Sequence, residues 1–202
     1  VGNWPGVTVE KKEGKLKANK QAIIQDLPGI YSLSPYTLEE VVSRNYLVTQ
    51  HPDAMINIVD ASNLERNLYL TLQLLELKKP VILALNMMDI VEDRGMEIDL
   101  HRLPEMLGSI PVVPVSARKR TGLDVLMHAV VHHYEEGPQG TVVKYTPRIE
   151  NKISKVETVL KAHYGEMDNL RWHAIKFMEY DETVWNDHPV DLNNIIDHNY
   201  EK

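Results

Sequence analysis

Apolar residues follow two alternating rhythms along most of the chain: short continuous runs, and stretches spaced three to four apart. The runs at residues 54–60 (AMINIVD), 81–85 (VILAL) and 112–115 (VVPV) suit buried strands, because a strand covered on both faces needs no polar alternation. Between and after them, residues 63–77 carry Leu64, Leu68, Thr71, Leu72 and Leu75 at helical spacing. Residues 99–107 form a shorter amphipathic stretch, and 122–135 place Leu123, Leu126, Val130 and Val131 on one face. A further helix is predicted from Thr37 to about Gln50, where Thr-Leu-Glu-Glu supplies an N-cap and an acidic first turn. This alternation predicts βαβ crossovers and a mainly parallel sheet with helices on both faces, an α/β fold.

The ends of the chain read differently. Residues 1–7 (VGNWPGV) have the chemistry of an irregular loop, and 8–12 and 15–26 read as two strands of an antiparallel hairpin turned at Gly14. Asp26-Leu27-Pro28-Gly29 breaks the second strand, and Pro35 discourages an early helix in the loop that follows. Residues 136–147 lose any core period and read as a linker. Beyond it, 148–163 carries Ile149, Ile153, Val156, Val159 and Leu160 on one face, and further helices are predicted at 170–179 and 190–198. Two domains are expected, residues 1–136 and a small helical one at 147–202.

Composition narrows the function classes. With 202 residues, 43% of them apolar, the chain can bury a core. A net charge of −7 argues against a surface that neutralises phosphate backbones, so no nucleic acid partner is expected. Without cysteine there is no disulfide, thiolate nucleophile or Cys-based zinc site, which suits a reducing, cytosolic setting. No run approaches the roughly 18 apolar residues of a membrane span, and no signal-peptide pattern opens the chain. The chain starts at Val1 in what reads as mid-domain sequence, so a natural segment is expected to precede it.

Chemistry collects where the predicted strands end. Ligands of an open parallel sheet bind beyond the carboxyl ends of its strands. The 81–85 strand delivers Asn86 and Asp89 there, three residues apart. A carboxylate accepts from two adjacent N–H donors, which guanine presents at N1 and its exocyclic amine, whereas adenine shows a lone pair at N1. Asp89 would thus select guanine, while Asn86 could bond the base's other edge; the plainer alternative is an ordinary Asx turn. Ser116-Ala117-Arg118 closes the next strand, where small residues let the Ala117 N–H approach a purine carbonyl. Asp26 and Gly29, in a D-x-x-G at another strand end, suit a Mg2+-bound water and a terminal phosphate; Thr8 could ligate the same Mg2+ from a mobile loop. A Pro-Gly turn and a plain strand threonine are the alternatives.

Thr8, Asp26-Leu27-Pro28-Gly29, Asn86-Met87-Met88-Asp89 and Ser116-Ala117, in this order, resemble the switch and specificity motifs of a Ras-like GTP-binding domain. More narrowly, VGNWPGVTVE, QDLPGIYSLSPY, IVDASNLERNLYLTLQL and LNMMD resemble the cytosolic N-terminal G domain of the bacterial ferrous iron transport protein B family, over about residues 1–134. The remainder resembles that family's helical spacer domain. The resemblance implies a Ras-like P-loop NTPase fold, GTP and GDP as ligands, Mg2+ as cofactor, and GTP hydrolysis with Thr8 and Gly29 in the catalytic loops. It also implies a membrane-embedded iron channel in the same parent protein as partner and a place on the cytoplasmic face of the inner membrane; homo-oligomerisation is left open. Two departures follow. The chain holds no G-x-x-x-x-G-K-[ST] phosphate loop, so its grip on a triphosphate is expected to be weak. After D-x-x-G, where Ras-type enzymes place a glutamine, stands Ile30, which cannot orient water. The resemblance supplies K+ in place of an arginine finger, with the backbone carbonyls of Gly2 and Trp4 as ligands; otherwise Trp4 is a loop anchor.

Three further features are read more plainly. His128, His132 and His133 lie on one helix without a third-element ligand and are expected to face solvent; the methionines read as core filler; and Glu65 with Arg66 forms a structural pair or responds to nucleotide. The competing readings are a ribosome- or tRNA-related GTPase, which the acidic charge disfavours, and a guanine-nucleotide-binding module without hydrolysis.

Overall fold

The computed structural model describes residues 2–3, 10–16, 20–136 and 143–196. Two compact units, residues 1–52 and 53–202, make up the chain. The first carries an antiparallel sheet in the order β1 (Gly2–Asn3), β2 (Glu10–Lys15), β3 (Ile23–Asp26). The expected hairpin is present, but its turn is displaced: Gly14 lies inside β2 opposite Ile24, and the Leu16 N–H reaches the Ala22 carbonyl. Part of the stretch read as an irregular loop is also a strand, since Gly2 and Asn3 pair with Lys11 and Glu10. Helix α1 (Leu38–Thr49) starts on a capping box: Thr37 accepts from the Glu40 N–H, and the Glu40 carboxylate accepts from the Thr37 N–H. Leu33, Val42 and Leu47 are buried.

The second unit holds the parallel sheet, β4 (Met55–Asp60), β5 (Val81–Asn86) and β6 (Val112–Pro114), with β5 central. Burial explains the continuous apolar run of β5: residues Val81 to Leu85 are each at most 1% exposed. One face of the sheet, with Ile82, Ala84, Val113 and Val115, packs on Leu126, Ala129 and Val130 of α5 (Leu123–Glu136). Helix α2 (Leu64–Leu75) packs on β4 and β5. Two short helices, α3 (Met88–Asp93) and α4 (Arg102–Met106), join β5 to β6. The outer strands are apolar yet open, with Ile58 of β4 and Ile23 of β3 about two thirds exposed.

Helices α6 (Pro147–Tyr164) and α7 (Leu170–Met178) pack through Ile153, Val156 and Leu160 against Trp172, Ala174 and Phe177. The third helix differs from expectation. It is α8 (Glu182–Asp187), N-capped by Asp181, whose carboxylate accepts from the Val184 N–H. Residues 190–196 form turns that bury Leu192 and Ile196, so the helical spacing there marks two buried anchors and no helix; 197–198 lie outside the described residues. Within the same unit a buried ionic cluster forms. Arg171 of α7 donates from Nε to Glu76 at 2.9 Å, from Nη1 and Nη2 to Glu150 of α6 at 2.9 Å each, and to the Val143 carbonyl at 3.0 Å. Among the described residues no helix is long and apolar enough to cross a membrane.

Candidate functional site

The C-terminal ends of β4 and β5 lie in register, Asp60 beside Asn86. Met87 then takes a left-handed backbone, φ 63°, and turns the chain at once into α3, so that Asp89 sits in that helix's first turn. The Met88 N–H donates to the Val115 carbonyl at 3.2 Å, pinning α3 to the end of β6. A buried polar position results: Asp89 is 3% exposed.

Residues 116–122 come back over it. Ser116 and Thr121 exchange both backbone hydrogen bonds at 3.1 Å, and Gly122 closes the turn at φ 77°, where a Cβ would collide with the Pro114 carbonyl oxygen. This tight loop aims three groups inward. The Ser116 hydroxyl donates to Asp89 Oδ1 at 2.9 Å while accepting from the Lys119 N–H at 3.1 Å. The Arg118 guanidinium meets Asp89 Oδ2 at 2.6 Å. The Ala117 N–H donates to Asn86 Oδ1 at 3.1 Å. Burial pushes the Asp89 carboxyl up, but the Ser116 hydroxyl and the Arg118 charge outweigh it and hold it below the usual carboxylate range. Asp89 is therefore ionised at neutral pH and can only accept. At the neighbouring strand end, Asp60 ties down Ser62 and Asn63 with bonds of 2.7–2.8 Å.

Four residues singled out from sequence thus meet at one place: Asn86, Asp89, Ser116 and Ala117. One detail departs from expectation, because the Ala117 N–H faces Asn86 and not open space. Arg118 was visible in the same tripeptide but had no role assigned; the signal that could have found it is a cation next to a strand-end acceptor. Asp26 and Gly29 belong to the first unit. Asp26 ends β3 with its side chain exposed, and Ser43 Oγ donates to the Pro28 carbonyl at 3.1 Å. Gly29 does not have the positive φ that a type II Pro-Gly turn demands, and a Cβ there would meet nothing within 4 Å. Neither packing nor backbone strain within the described residues requires glycine at that position. Gly2 lies in β1, while Trp4 and Thr8 lie outside the described residues. The His128 and His132 rings lie with centroids 4.1 Å apart, tilted by 45°, and no group of three metal-ligating side chains forms among the described residues.

Solved structures share the fold. A GDP-bound single-substitution mutant of S. thermophilus NFeoB matches at a TM-score of 0.87 with 44% identity, over 95% of this chain and 74% of its own. S. thermophilus NFeoB bound to mGMPPNP matches at 0.83 with 44% identity, over 96% and 72%. The fold is therefore that of a Ras-like α/β G domain with a helical addition. Sequence comparison narrows the class to one family. Residues 1–130 match the family model for ferrous iron transport protein B, and residues 145–201 match that of the FeoB cytosolic helical domain. The Fe(2+) transporter FeoB of Staphylococcus aureus strain COL is 41% identical over 179 residues, 88% of this chain. The chain belongs to the ferrous iron transport protein B family. It spans 27% or less of the length of the curated relatives it matches.

Proposed function

We propose that this chain is the guanine-nucleotide-binding, GTP-hydrolysing regulatory domain of a bacterial ferrous iron transporter. Nucleotide state, held at 1–136, passes through the helical part at 147–202 to a membrane-embedded iron channel, on the cytoplasmic face of the inner membrane. The observation that carries the reading is the ionised, buried Asp89 at a strand end, bracketed by Asn86, Ser116 and Ala117. Relatives bound to GDP and to a GTP analogue support it.

The phosphate end is assigned to Asp26, Gly29 and Thr8. The exposed Asp26 carboxylate and the Thr8 hydroxyl are hard oxygen donors of the kind Mg2+ takes, and they would hold it; bound there, it would neutralise charge on the transferring phosphoryl group. Gly29, which has no Cβ, would let a phosphate approach its N–H. The carbonyls of Gly2 and Trp4 are proposed for K+, and equal turnover in K+ and Na+ would remove that ion.

The base reading is tested by Asp89→Asn. An amide donates where the carboxylate only accepts, so preference should pass from GTP to xanthosine triphosphate. Unchanged GTP affinity would remove Asp89 from the site. Ile30 favours a second reading, binding without hydrolysis. Titration with fluorescent GTP alongside phosphate release in K+ separates the two, since binding without release fits the module alone.

A further inference from the structure

We propose that Arg118 is an internal substitute for guanine: its guanidinium occupies Asp89 when no nucleotide is bound and must leave before a base can dock. This rests on the reading that Asp89 recognises the base. Chemically the two ligands are alike. The N1–C2–N2 edge of guanine is itself a guanidine fragment, two N–H donors on one carbon, and a guanidinium presents the same fork to a carboxylate. Geometrically they compete. Oδ1 already accepts from Ser116 at 2.9 Å, and Arg118 holds Oδ2 at 2.6 Å, so the carboxylate has no free bidentate face.

The Arg118 side chain is suited to leaving. It is 70% exposed while its partner is 3% exposed, so it swings into water at little cost and leaves the carboxylate open. The loop behind it is fixed at both ends by the Ser116–Thr121 bridge and by Gly122, so only the side chain needs to move. Lys119, the neighbouring cation, lies 3.9 Å from Glu92 instead and does not reach Asp89 in its place. The latch lowers apparent affinity by the fraction of time it is closed, because only the open protein can take a base.

The test is a fluorescent GDP titration of the wild type, Arg118→Ala and Arg118→Lys at one salt concentration. Surface-facing ion pairs are weak, so Arg118→Ala should bind GDP only about three- to six-fold more tightly, through faster association. That direction is diagnostic, because deleting a cation beside a polyanionic ligand otherwise weakens binding. Arg118→Lys, which keeps the charge but not the fork, should fall between. In the nucleotide-free wild type, nitrogen-15 spectra should show slowed exchange at the Arg118 guanidinium, lost on adding GDP. Unchanged or weaker GDP binding by Arg118→Ala, with the xanthine switch of Asp89→Asn intact, overturns the latch and leaves base reading standing. If Asp89→Asn leaves GDP binding untouched, both fall.

Discussion

Replacing Arg171 by methionine tests how the helical segment is held. The substitution keeps most of the side-chain length and removes the charge that Glu76 depends on. Glu76 is 3% exposed, and burial already pushes its carboxyl above the usual range against the opposing pull of Arg171. Arg171 is held in turn by Glu150 and the Val143 carbonyl, so the variant loses four hydrogen bonds together. Removing one partner of a buried pair costs about 3–5 kcal/mol, chiefly because the other charge stays behind. Glu76 has one escape, which is to take a proton. At pH 7, protonating a carboxyl whose ordinary pKa is about 4.3 costs about 3.7 kcal/mol, so the escape sets the scale of the charge penalty. That gives the variant a signature which simple loss of packing lacks: the penalty should shrink by about 1.4 kcal/mol for each pH unit lowered towards about 4.3. Urea unfolding followed by tryptophan fluorescence reports on the cluster, since buried Trp172 adjoins Arg171 in the chain. Adding Glu76→Gln to the variant should recover much of the loss at pH 7 and remove its pH dependence. A cost below about 1 kcal/mol at pH 7, in the range of exposed pairs, would refute this account of the cluster, as would a penalty that does not change with pH.

The other outcomes follow from local geometry. Gly122→Ala places a Cβ against the Pro114 carbonyl oxygen at φ 77°; it should cost about 1–3 kcal/mol or more in urea unfolding and weaken GDP binding by displacing Ser116 and Ala117. Acid should destabilise the fold through Asp60, Asp89, Asp99 and Glu150, whose carboxyls are held low. For Asp60 and Asp89, burial acts upward but is outweighed by the Ser62 and Ser116 hydroxyls and nearby arginines; Asp99 is lowered by the Arg102 and His101 N–H groups, and Glu150 by Arg171. Lowered folded values mean the unfolded chain binds protons first as pH falls. Their contribution is therefore whole above about pH 4–4.5 and lost below it, and Glu76, shifted the other way, partly opposes the trend. Urea midpoints that do not fall between about pH 5 and pH 3 would contradict this.

What could be read from sequence was the local and the periodic. The runs at β4, β5 and β6 announced themselves because a strand buried on both faces excludes polar residues, and the Thr37–Glu40 capping box lies within four residues. Gly14 misled because glycine marks turns more often than strand interiors, and here it sits mid-strand opposite Ile24. Helix α3 was missed because its start depends on a left-handed Met87, a conformation that methionine does not advertise. The last helix was misplaced because Val190, Leu192, Ile195 and Ile196 have helical spacing, while the true signal was the Asp181 N-cap. Glu76 and Arg171, 95 residues apart, left no local trace at all. At the candidate site the acceptors were legible and the bonds between them were not, because the partners are brought together only by the parallel register of β5 and β6.

Those bonds give the site its logic. A buried donor or acceptor without a partner costs about 1–3 kcal/mol, so a base-reading pocket that waits unfilled is unstable unless it satisfies itself. Here it does. Asp89 is covered by Ser116 and Arg118, and the Ala117 N–H turns to Asn86. Binding a base is then an exchange, and an incoming ligand must return what it displaces. Guanine returns two N–H donors to the carboxylate in place of the guanidinium, and a carbonyl oxygen to the Ala117 N–H. Adenine returns a lone pair and an amine, leaving a buried carboxylate facing a lone pair and an N–H facing a donor. The cost of opening the site is common to every base and lowers affinity alike, so selectivity arises from what each base returns once the site is open. Arg118→Ala should then tighten guanine and adenine nucleotides by the same factor and leave their ratio unchanged; a ratio that shifts in paired titrations would mean that Arg118 touches the bound base.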